Sequence, residues 1–188
     1  MSRRKVVLLG VLAALLALGG WQYGLRWWET GKRVYGEIPA LFHKKEDRLD
    51  RLPDFQLPTL EGWQISSSAW QGQVVVLNFW ATWCPPCVRE MPRFMEIQQR
   101  YPELQVVGIA IDAPEAVKTF VQQHPLNYPI LLGDLPAVEL SRRLGNRLQG
   151  LPFTAVFDQK GKLIYARIGE MTAKTLEEVL TPLLGQAG

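Results

Sequence analysis

Phe79-Trp80-Ala81-Thr82-Trp83-Cys84-Pro85-Pro86-Cys87-Val88-Arg89-Glu90-Met91-Pro92 is the stretch from which the fold can be worked out. It begins in Val74–Trp80 (VVVLNFW), an almost unbroken apolar run rich in β-branched residues. Such a run marks a central strand buried on both faces. After it the pattern predicts a helix from about Cys84 to Arg100. The two cysteines therefore stand where a buried strand ends and a helix begins. At a helix N-terminus the unpaired amides and the macrodipole favour an anion, so Cys84 ionises more readily and is the attacking thiolate. Cys87 lies one turn inside the helix and is the resolving thiol, able to displace whatever Cys84 has bonded.

Pro85 and Pro86 suit the first turn, where N–H groups lack intrahelical partners. They also remove two amides that would stabilise the Cys84 thiolate, which makes the dithiol a better reductant. Other uses of a Cys-x-x-Cys pair fit less well. A zinc site needs a second ligand pair, and the chain has two cysteines and two remote histidines. Haem attachment needs histidine after the second cysteine, where Val88 stands. A purely structural disulfide closing so short a loop would restrain the unfolded chain little. Capture of Cu(I) by the two thiolates remains open.

Working outward, residues 54–66 (DFQLPTLEGWQIS) predict a hairpin turning at Glu61-Gly62. Leu104–Ile111 is a second central strand, and Ala116, Val117, Phe120 and Val121 share one face of a helix over 114–123. A short strand follows at Tyr128–Leu132, then a helix opened by Pro136 and ending near Leu144. Phe153–Phe157 and Leu163–Ile168 flank Asp158-Gln159-Lys160-Gly161 as a hairpin. The last helix carries Leu176, Val179, Leu180 and Leu183, with Thr175 and Glu178 as its capping box. This order is that of an α/β domain with a mixed sheet.

At the other end, Val6 to Leu25 runs twenty residues without a charge behind Arg3-Arg4-Lys5. A helix of that length spans a bilayer core, and the basic cluster favours a cytoplasmic amino end. Trp21, Tyr23, Trp27 and Trp28 suit the far interface. A cleaved signal peptide with the core Val6–Gly20 is the competing reading, but Ala17-Leu18-Gly19 is a poor cleavage site. The organisation expected is a membrane anchor at 1–28, a polar linker or stalk at 29–51 and a catalytic domain at 52–188. His43, in the linker, reads as a solvated side chain. The 188 residues carry 21 basic and 18 acidic side chains, a net +3, with 47% hydrophobic and 21% charged residues. From Leu52 onward there are 11 basic and 13 acidic residues, so the domain has no electrostatic footprint for nucleic acid.

The string Asn78–Cys87, the opening Leu52-Pro53-Asp54-Phe55 and the segment Gly150-Leu151-Pro152-Phe153-Thr154 together resemble the membrane-anchored thioredoxin-like thiol–disulfide reductases of the TlpA, ResA and cytochrome c maturation type. The likeness covers about residues 52–184. It implies a thioredoxin-like mixed sheet flanked by helices, with an N-terminal hairpin, a central helix-strand insertion at Ala113–Leu135 and one transmembrane helix ahead of the domain. It also implies that Pro152 is a cis-proline facing the cysteines, with the Leu151 backbone pairing with a substrate chain.

Where thioredoxin has a buried aspartate as proton acceptor, this chain has Asn78, which cannot titrate. The resemblance places a substitute acid near the end of the next strand, for which Asp112 and Glu115 are the candidates. Glu90 reads as a helix-surface charge. Trp80 and Trp83 pack around the sulfurs, and Trp83, with Pro85 and Pro86, borders the docking surface.

The function expected is a thiol–disulfide oxidoreductase needing no cofactor beyond the redox-active pair Cys84–Cys87. The resemblance makes it a reductant of specific exported proteins, held in the inner membrane with its catalytic domain in the periplasm. It would be recharged by a transmembrane electron donor of the DsbD type and act on oxidised clients such as apocytochrome c or copper-site proteins. A Cu(I)-binding chaperone, or a thiol oxidase or isomerase, is the alternative.

Overall fold

Strand β3, Val74–Trp80, is buried along its whole length and organises the domain. The structure is a computed structural model, and residues 48–185 are those it describes. The expected anchor at 6–25, and all of the linker before residue 48, lie outside them. Among the described residues no helix is long and apolar enough to cross a membrane.

The remaining elements, in chain order, are β1 (Gln56–Pro58), β2 (Gln64–Ser66), β3, α1 (Pro85–Arg100), β4 (Leu104–Ile111), α2 (Pro114–Gln123), β5 (Ile130–Gly133), α3 (Leu135–Arg143), β6 (Phe153–Phe157), β7 (Leu163–Ile168) and α4 (Ala173–Leu184). A short 3-10 turn at Ser67–Trp70 leads from β2 toward β3. The main sheet has the order β5-β4-β3-β6-β7. β3, β4 and β5 run parallel, whereas β6 and β7 are antiparallel to their neighbours. The result is the thioredoxin-like mixed sheet.

Alternation along β3 divides the core in two, because successive side chains point to opposite faces. Val74, Val76 and Trp80 join Met91, Phe94 and Ile97 of α1, Val117 of α2, and Leu176, Leu180 and Leu184 of α4. Val75, Leu77 and Phe79 face Leu57, Trp70, and Ala137 and Leu140 of α3. Burying a large apolar side chain contributes about 1.5–3 kcal/mol, so the strand is held from both sides.

The segment before β1 crosses the domain beneath this second face. Leu52 N donates to Gly161 O and Leu163 N to Asp50 O, bridging Arg51 to Lys162 at the start of β7. Further on, Thr59 bridges Leu131 of β5. Among the described residues, Leu49 N donates to Arg143 O, joining the same segment to the end of α3.

Two local readings change. The strand expected at Tyr128–Leu132 begins at Ile130, because Pro129 has no N–H to give to a ladder; its carbonyl accepts from Gly108 N instead. The last helix is capped by Thr172, whose side chain accepts from Thr175 N. Thr175 is thus inside the helix rather than its cap, and the Thr175–Glu178 capping box does not form.

Candidate active site

The parallel strands deliver their C-terminal ends to one edge of the sheet. There Cys84 is the N-cap of α1, with Pro85 and Pro86 in the first turn. Cys84 is 4% exposed and Cys87 is fully buried. Their sulfurs are bonded at 2.07 Å. Val88 N donates to Cys84 O, closing the first turn without help from the prolines. Trp80, fully buried, packs its ring 5.3 Å from that of Phe120. Trp83 is 67% exposed beside Cys84, unusual for so large an apolar side chain.

The Leu151–Pro152 bond is cis. In the β3–β6 register Phe79 opposes Phe153, so one step further Pro152 stands across from Trp80. Leu151 packs against the core cluster that contains both cysteines.

Glu90 corrects the sequence reading. It is fully buried, not a surface charge. It follows Cys87 by three residues, which places both on one helical face, together with Met91 and Phe94. Its Oε1 accepts from Asn78 Nδ2 at 2.7 Å and its Oε2 from Met171 N at 2.7 Å. Burial raises its pKa to about 7, outweighing the two hydrogen bonds, which favour the ionised form. Glu170 adds to the rise and Arg93 opposes it. A carboxyl poised near neutrality, one turn from the resolving cysteine, can exchange a proton with it. Asn78 acquires a role here: it orients the acid instead of being one. Its Nδ2 also donates to Thr154 Oγ1 at 3.2 Å.

The two acids proposed from sequence are placed differently. Asp112, at the end of β4, is partly desolvated, which by itself would raise its pKa. Hydrogen bonds from the Thr82 hydroxyl and amide and from Ala113 N outweigh this and hold it below the ordinary value. It fastens the loop before Cys84 and is kept as an anion. Glu115 is exposed in the first turn of α2. The spacing Cys87–Glu90–Met91–Phe94 already put Glu90 on the apolar face. That positional signal was masked by the usual location of glutamates on surfaces. Met171 carried no signal, since its part is played by a backbone amide.

The Redoxin family model matches residues 48–181. Among curated proteins, the thiol-disulfide oxidoreductase ResA of Bacillus cereus (strain ATCC 10987 / NRS 248) is 37% identical over 145 residues, covering 74% of this chain and 82% of that protein. The thioredoxin-like protein YneN of Bacillus subtilis (strain 168) is 35% identical over 159 residues, covering 80% and 88%. Among solved structures, a thiol:disulfide interchange protein of the thioredoxin family from Chlorobium tepidum TLS superposes with a TM-score of 0.64 at 28% identity, over 73% of this chain and 98% of that one.

Proposed function

The chain belongs to the Redoxin family and is a thiol–disulfide oxidoreductase of the ResA type; we propose that it runs as a reductant of specific protein disulfides outside the cytoplasm. The observation that carries this reading is the pair Cys84–Cys87 at the start of α1 with the Glu90 carboxyl buried one turn behind it.

In the reduced form the Cys84 thiolate attacks one sulfur of a client disulfide. That S–S bond breaks, a Cys84–client mixed disulfide forms, and the other client sulfur leaves as a thiolate. Glu90 takes the proton of Cys87. The Cys87 thiolate then attacks Cys84 Sγ, closing the disulfide seen here and releasing the second client sulfur. Two electrons have passed to the client. The Leu151–Pro152 backbone, with exposed Trp83 and the Pro85–Pro86 turn at its border, is the docking edge in this proposal.

The apolar run 6–25 tethers the domain to the inner membrane with the catalytic part in the periplasm. An oxidising periplasm returns no electrons to a dithiol, so a transmembrane donor of the DsbD type recharges it. An oxidised exported protein, apocytochrome c or a copper-site protein, is the client.

The reduction potential of the purified chain, equilibrated against glutathione buffers, tests the direction. A value below about −200 mV is expected for a reductant, and one near about −120 mV marks a thiol oxidase and overturns the reading. In cells, Cys87→Ser leaves the mixed disulfide unresolved, and a client linked to Cys84 should accumulate.

A further inference from the structure

The connection between β7 and α4 is only four residues long, and three of them in succession are pinned to the active site. Gly169 N donates to Pro152 O at 2.8 Å. Glu170 Oε2 accepts from Arg89 Nε and Nη2 at 3.0 and 2.8 Å, and Oε1 from Arg93 Nη1 at 2.8 Å. Met171 N donates to Glu90 Oε2 at 2.7 Å, and Met171 O accepts from Arg93 Nη1 at 3.1 Å. Gly169 has φ 108°, a conformation that suits glycine. Met171 is fully buried. The connection therefore touches the docking backbone at one end and the buried acid at the other, with two arginines clamping its middle.

We propose that residues 169–171 form a strap that couples the proton on Glu90 to the docking backbone at Pro152, with Arg93 and Glu170 as positioning residues. This rests on the reading of the chain as a thiol–disulfide oxidoreductase that docks its client at Leu151–Pro152. An ionised Glu90 holds Met171 N by a charge-assisted bond, roughly twice as strong as a neutral one. At resolution one proton moves from Cys87 to Glu90, and that bond weakens. The strap slackens, the Gly169–Pro152 contact shifts, and the docking edge loosens as the last client sulfur departs. Coupling of this kind is reciprocal: a docked client holds Glu90 ionised and ready to accept the proton.

The charged and titratable groups facing Glu90 are Arg93 on its own helix, Glu170 in the strap and Tyr128 ahead of β5; Cys87 precedes it on α1. Asn78 and Thr154, from β3 and β6, complete the polar surroundings and do not titrate. Removing Arg93 acts on Glu90 in one direction by two routes. It deletes a favourable charge and frees Met171, and both raise the pKa.

The test uses the full chain. In the oxidised protein, the amide resonances of Met171 and Gly169 are followed by NMR between about pH 5.5 and 8.5, a window around the Glu90 value. Both are expected to titrate with one midpoint, and Glu90→Gln is expected to abolish both responses. Arg93→Gln should move the midpoint up by about half a unit or more, with Arg93→Lys restoring most of it. Glu170→Gln should reduce the Gly169 response relative to that of Met171. In steady state, Arg93→Gln should raise KM for a protein disulfide about threefold or more with little change in KM for hydroxyethyl disulfide, which needs no docking backbone, while any change in kcat from the shifted Glu90 midpoint is shared by both substrates. A Gly169 amide that ignores the Met171 midpoint, or an Arg93→Gln protein with unchanged midpoint and KM, overturns the strap. A wild-type protein that exchanges with no disulfide overturns the underlying reading instead.

Discussion

Glu90 sits in the core with two donors committed to its carboxyl oxygens, and its protonation still changes near neutrality. The folded value of about 7 against an ordinary 4.5 means that between these pH values the folded chain binds more protons than the unfolded one. Stability therefore falls as pH rises through this window, by up to roughly 3 kcal/mol. Below pH 4.5 the neutral acid incurs no such penalty, and above 7 the penalty is complete. Thermal unfolding of the oxidised protein at pH 5 and pH 8 should show this loss, and Glu90→Gln should flatten it. A wild-type midpoint that does not fall across the window would contradict the buried titration. Cys84 and Cys87 were legible in sequence because their chemistry depends on spacing and on their place at a strand–helix junction. For Glu90 residue type and helical phase conflict: a glutamate belongs by type on a surface, while its phase with Cys87, Met91 and Phe94 points it inward. Phase governs when, as here, Asn78 and a backbone amide lie beneath the helix to receive the carboxyl.

At the scale of elements, apolar periodicity was a faithful guide. β3, β4, β6 and β7 occupy the residues their patterns mark, since each is a run bounded by turn residues such as Asp158-Gln159-Lys160-Gly161. Helix ends were harder. At the start of α4 both Thr172 and Thr175 suit a cap by type, and only the path of the chain out of the strap decides between them. Thr172 Oγ1 accepts from Thr175 N at 3.1 Å, so Thr172→Ala should lower stability by about 1 kcal/mol. Urea unfolding would measure it, and a loss below a few tenths of a kcal/mol would deny the cap its role. The cost should appear at any pH, which separates it from the Glu90 effect.

For the whole molecule, the packing of helices on the sheet leaves little slack where β3, β4 and β5 meet. A Cβ on Gly108 would lie 2.6 Å from Ile130 Cδ1, 3.1 Å from Trp80 Nε1 and 3.3 Å from a ring carbon of Tyr128. Gly108→Ala should thus destabilise the domain by about 1–3 kcal/mol through overpacking. Because Gly108 lies opposite Asn78 in the β3–β4 register, it should also disturb Glu90. Denaturant unfolding together with the pH profile of exchange would show both effects. An unchanged unfolding midpoint would mean that the three neighbours can yield.

The stretch from Arg51 through β1 to Thr59 has a consequence for how copies of the protein behave toward one another. An open sheet offers unpaired N–H and C=O groups along its two outer strands, a template on which another chain can add. Here one short stretch of backbone covers both outer edges in part, through Arg51 against Lys162 just ahead of β7 and Thr59 against Leu131 on β5. A single segment thereby guards against aggregation at two sites some distance apart in the sheet. Deleting the stretch from Arg51 to Thr59 would strip both guards together, leaving neighbouring molecules free to pair strand to strand.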